Sequence, residues 1–100
     1  MFSDAIECYE AMGKALTSSA RPPWTRILVD ASLEGSRVDA VVSYWNGQTD
    51  KPAGYLTGVP MLARYVYELA RLVRDEEKGF FKKCHFDLRS DGKFNVEFEY

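Results

Sequence analysis

His85 is the only histidine in this 100-residue chain, so any imidazole chemistry rests on it. In an extended segment Asp87 lies two residues on and shares its face. There a carboxylate could orient a general base. An imidazole set across strands from Glu97 accounts for the same residues without catalysis, and is the simpler reading. Cys84 adjoins His85 but points to the opposite face of such a strand, which rules out a Cys-His dyad. No serine or cysteine sits in a glycine elbow. Residues 54–58 read Gly-Tyr-Leu-Thr-Gly, with two glycines but no following Lys-Ser/Thr, so they form no phosphate loop. Cys8 and Cys84 make no CxxC, and one histidine cannot complete a Cys2His2 zinc site. The sequence therefore predicts no catalytic residues, no metal and no cofactor.

Composition points the same way. Hydrophobic residues make up 46% and charged residues 28%, which suits one globular domain over residues 1–100 and not a disordered chain. The formal net charge is −2 and the pI near 5.4, the wrong sign for a dedicated nucleic-acid binder. The bases Arg64, Arg71, Arg74, Lys78, Lys82 and Lys83 are interleaved with acids and read as a solvated face. No apolar run approaches a membrane span, and Asp4, Glu7 and Glu10 stand where a secretory leader needs a basic start and an apolar run. A soluble, cytoplasmic protein is expected. Spacing leaves a Cys8–Cys84 disulfide open, but two buried, reduced thiols fit their apolar neighbourhoods better.

The elements that must position these residues follow from periodicity. Residues 3–18 show helical spacing through Ala5, Ile6, Tyr9, Met12, Gly13 and Leu16, with Ser3 as N-cap and Asp4, Glu7, Glu10 and Lys14 on the other face. Pro22 and Pro23 end that segment. Strands are predicted over 24–33 and 37–46. A two-residue Gly35-Ser36 turn would pair Glu34 with Arg37, Ala31 with Ala40 and Val29 with Val42. Turn signals crowd 46–60, with a short strand at 53–57. A helix opened by Pro60 runs to about Glu77, with Arg64–Glu68 and Arg71–Asp75 pairs on its solvated side. The last segment alternates cleanly. A three-residue loop at Ser90, Asp91 and Gly92, with Gly92 left-handed, matches Leu88 with Phe94, Phe86 with Val96 and Cys84 with Phe98. The same register sets His85 against Glu97 and Lys83 against Glu99.

The order α-β-β-(β)-α-β-β, with one apolar face per element, predicts an α+β fold of two layers. One antiparallel sheet of four to five strands would carry both helices on one face. The other face would then hold Asp30, Asp39, Trp45, Asp87, Glu97 and Glu99 together with Leu28 and Val41. Apolar and aromatic groups beside carboxylates make a protein-binding surface, unless the 46–60 segment covers the apolar members. The acids Asp4, Glu7 and Glu10 of the first helix are a second candidate surface.

The closing hairpin, from Phe86 through Gly92-Lys93-Phe94 to Phe98-Glu99-Tyr100, resembles the C-terminal signature of the YezG-like antitoxin and immunity family. That family guards bacteria against polymorphic toxins. Its members show an aromatic strand, a Gly-Lys-Phe turn and a closing Phe-x-Tyr. The earlier element order fits as well, with prolines ahead of Trp24 and a hairpin ending in Tyr44-Trp45. The chain has Phe80-Phe81 where the family often has tryptophan. The resemblance implies a non-catalytic inhibitor that binds a cognate toxin domain, commonly a nuclease, by its acidic surface. From the charge balance and the lack of an apolar span no direct contact with nucleic acid or membrane is expected, and the open sheet edge or the Trp45 face leaves a monomer or a homodimer when free. The readings to set against it are a small homo-oligomeric or ligand-binding domain without a toxin partner, and a minor enzyme using His85 and Asp87.

Overall fold

The computed structural model describes residues 2–20, 22–47 and 50–100. Gln48 and Thr49, inside the turn-rich segment, and Arg21, beside the prolines, lie outside the described residues. The elements run α1 (Ala5–Ser19), β1 (Arg26–Glu34), β2 (Arg37–Trp45), β3 (Gly54–Leu56), α2 (Leu62–Leu72), β4 (Lys83–Arg89) and β5 (Phe94–Glu99). The five strands form one antiparallel sheet in the order β3-β2-β1-β4-β5. Both helices pack on one face of it, which gives the expected two-layer α+β fold.

Alternation decides the register. Glu34 pairs with Arg37, Ala31 with Ala40 and Val29 with Val42 around a turn in which Gly35 has φ 63°. In the last hairpin Leu88 pairs with Phe94 and Lys83 with Glu99. Gly92 (φ 89°) closes the three-residue loop, its N–H donating to Arg89 O at 3.0 Å. Each register keeps Ile27, Val29, Ala31, Val42, Cys84, Phe86 and Leu88 on the helix side, all buried. A one-residue slip would turn that whole set to water. Ala40, on the same side of β2, is exposed.

The helices complete the core with Cys8, Met12 and Leu16 from α1 and Leu62, Val66, Leu69 and Ala70 from α2. Two expectations for α1 are corrected. The N-cap of α1 is Asp4, whose carboxylate accepts the Glu7 N–H at 2.9 Å. Ser3 instead donates its hydroxyl to Glu7. Ile6 is 62% exposed, because the buried stripe follows Cys8, Met12 and Leu16 at four-residue steps and leaves Ile6 off it.

α2 is shorter than the pattern predicts at both ends. Met61 is its N-cap in the left-handed region (φ 64°), so Pro60 lies outside the helix. At the other end Asp75 accepts the N–H groups of Glu77 and Lys78 at 2.8 and 2.9 Å. Asp75 and Gly79 also exchange main-chain bonds at 3.0 and 2.9 Å. This local turn outcompetes a further helical turn. The same N–H groups, that of Lys78 first, hold the Asp75 carboxyl below its ordinary pKa. With Asp75 so engaged, Arg71 reaches back to Glu68 at 3.4 Å instead.

Candidate functional site

The pairing of β1 with β4 joins the two hairpins and orders the face away from the helices into rows. Trp45, Arg26 and Arg89 make one row, and Tyr55, Ser43, Leu28, Asp87 and Asn95 the next. Val41, Asp30, His85 and Glu97 make a third; Asp39, Ser32, Lys83 and Glu99 the fourth. All six acidic and aromatic candidates from the sheet therefore share one surface. β3 extends the sheet edge and does not fold back over it. Val41 is 58% and Tyr55 66% exposed, while Leu28 and Trp45 are half-buried.

Two polar constellations divide this surface. In the first, Arg26 grips Asp87 with both carboxylate oxygens engaged, at 2.9 and 2.8 Å. The guanidinium carbon lies 4.7 Å from the centre of the Trp45 ring. β1 presents Arg26 beside Trp45 of β2 and one row from Asp87 of β4, so a planar, always-charged fork meets both partners at once. Arg26 was not among the residues singled out by sequence. Its partner is 61 positions away, and only the β1–β4 register brings the two together.

In the second, His85 stands between two carboxylates. Its Nδ1 bonds the Asp30 carboxylate, and its Nε2 meets Glu99 Oε2 at 2.8 Å. The bond to Glu99 is the main cause that holds the imidazole protonated above its ordinary pKa, with Asp30 adding to it. The same bond holds the Glu99 carboxyl below its usual range. When protonated, His85 donates through both nitrogens. The simpler expectation set His85 against Glu97; the register does so, but the ring bonds Asp30 and Glu99, and the alternative His85–Asp87 pair does not form. Asp87 belongs to Arg26, and both ring nitrogens of His85 face carboxylates. Glu97 is in register opposite His85 and exposed, while Asp39 pairs with Arg37 at 3.2 Å on open surface.

The second acidic group sits apart, in the helix layer. Asp4 is spent as the cap of α1, and Glu7 receives Ser3. Glu7 and Glu10 rim an open groove of about 640 Å³ between α1 and the start of α2, floored by Phe2, Met61 and Tyr65.

The cysteines take no part in either surface. Both are free and buried. Burial pushes the Cys8 thiol up to about 11 and the Cys84 thiol to about 12. Cys8 Sγ donates to Tyr65 O at 3.1 Å. Among the described residues, no three His, Cys, Asp or Glu side chains are placed to hold a metal ion. No helix among them is long and apolar enough to cross a membrane. Compared with models of known protein families and with curated protein sequences, the chain matches none.

Proposed function

We propose that this domain is a cytoplasmic immunity protein that neutralises a bacterial toxin domain by binding it through the open sheet face. The observation that carries the reading is the makeup of that face. Exposed Val41 and Tyr55 and half-buried Leu28 and Trp45 lie among Asp30, Asp39, Glu97 and Glu99. Apolar and aromatic groups would supply the desolvated centre of an interface. The carboxylates would meet the basic substrate cleft of a nuclease and speed encounter with it. Asp87 acts through Arg26, holding the guanidinium over Trp45 so that the ring is fixed before a partner arrives. The resemblance of the closing hairpin to YezG-like antitoxins supports the same assignment. Inhibition by occlusion needs no catalytic group, and the engaged state of His85 and the inert thiols are consistent with that.

The test is to take a toxin domain from the genes flanking this one and titrate it calorimetrically; flanking genes without one count against the reading. A 1:1 complex whose affinity falls as salt rises is expected. Glu97→Lys with Glu99→Lys brings two like charges against a basic cleft, at a cost of several kcal/mol, so affinity should fall at least about a hundredfold. Undiminished affinity in that variant excludes this face.

A further inference from the structure

The sheet ends in β5, and its outer edge is open. No described residue gives it a main-chain hydrogen bond beyond those to β4 and to Lys82 just ahead of β4. Arg89 N–H donates to Lys93 O at 2.8 Å, which fixes the phase of the β4–β5 ladder. In an antiparallel pair the bonded positions recur at every second residue. The main-chain groups of Asn95, Glu97 and Glu99 therefore face β4, and those of Phe94, Val96 and Phe98 face outward. Charged side chains on an edge normally guard it against pairing. Here the sequence of the edge is complementary to itself.

We infer that β5 is a homodimerisation edge, pairing antiparallel with β5 of a second copy about a two-fold axis at Val96 to make a continuous ten-stranded sheet. In that register Val96 faces Val96 of the second copy, and Phe94 faces Phe98. On the outer face Asn95 lies opposite Glu97, so an amide can donate to a carboxylate, and Lys93 lies opposite Glu99. Symmetry repeats each unlike pair, and all three outward-facing residues bond. Phe94 is 50% exposed and Phe98 half-buried, so the helix-side row gains apolar cover as it pairs. The neighbouring registers are worse. Centring on Glu97 sets Glu97 against Glu97, and centring on Asn95 sets Asp91 against Glu99. The opposite edge, β3, has only three residues. This inference goes beyond toxin binding, since it concerns the rim of the sheet and holds whatever covers its face.

Light scattering on the purified protein is expected to give twice the 11.4 kDa of one chain at high concentration. Val96→Pro removes an outward N–H and no bond to β4, and Lys93→Glu, exposed and away from the core, places a carboxylate against Glu99 of the other copy. Each should return the mass to 11.4 kDa at the same concentration. The register has its own assay. The Asn95–Glu97 contact is a non-bonded pair with Cα atoms about 4.5 Å apart, within disulfide reach. Oxidising a mixture of Asn95→Cys and Glu97→Cys proteins should cross-link the two to each other, and either variant alone far less. A monomer at all concentrations, a dimer indifferent to both edge variants, or cross-linking of each cysteine variant with itself alone overturns the inference.

Discussion

Arg26 and Asp87 form the best-built ion pair on the sheet, and their coupling can be worked out beforehand. Their side chains are 34% and 20% exposed, so water screens the pair only in part. Fully exposed pairs contribute about 0.2–1 kcal/mol, and hydrogen bonds to charged groups about 1.5–3 kcal/mol. Two aligned bonds at 2.9 and 2.8 Å, discounted for the exposure of Arg26, place the coupling at about 1–2 kcal/mol. Arg26→Met also loses the contact with Trp45, worth about 0.5–1 kcal/mol at such a site. The single variant should therefore cost about 2 kcal/mol and lower Tm by roughly 10 °C in a domain of this length. The assay is urea unfolding followed by far-ultraviolet circular dichroism on wild type, Arg26→Met, Asp87→Asn and the double variant. The double variant should be more stable than the sum of the singles implies, by the coupling energy. Additivity within about 0.3 kcal/mol would refute the reasoning.

Because His85 is the only histidine, its ring protons give one unambiguous NMR titration. Its midpoint should lie above 6.5 and move down in Glu99→Gln. His85 is raised, so the stability it contributes is present below its unfolded pKa and fades as pH climbs through the folded value. Glu99 is lowered, so its contribution is present above the ordinary carboxylate range and fades as pH falls. The clasp therefore stabilises most between those limits, and urea midpoints of His85→Gln should vary less with pH than wild type on both sides of that window. Gly92→Ala, at φ 89°, should destabilise by about 1–2 kcal/mol in the same unfolding assay, although nothing crowds the added methyl. Cys8 and Cys84 should react with a thiol reagent only at the rate of unfolding, since both are buried with pKa values of about 11 and 12.

What could be read from the sequence was local. Gly35 and Gly92 mark their turns because only glycine takes positive φ cheaply. Once a turn is placed, the period of two assigns every side chain of its hairpin to a face. That was enough to put Asp30, Trp45, Asp87 and Glu97 on one surface. It was not enough to pair them, because no local pattern says that β1 lies beside β4. The contacts Arg26–Asp87 and Asp30–His85 live on that non-local pairing, which gives His85 and Asp87 separate partners. The end of α2 escaped for a different reason. The helical period continues past Leu72, but Asp75 offers nearby N–H groups a closer acceptor than the next turn would. The period already set the acids of α1 apart from those of the sheet, but only the folded helix shows that Asp4 is spent as its cap.

The most direct measurement is chemical-shift mapping with isotopically labelled protein and the unlabelled toxin domain sought among the genes flanking its own. The account predicts saturation at one toxin per chain. The largest changes should fall at the Trp45 indole, the His85 ring and the amides of Asp30, Val41 and Glu97. Absence of binding, or shifts confined to the groove between α1 and α2, would contradict it.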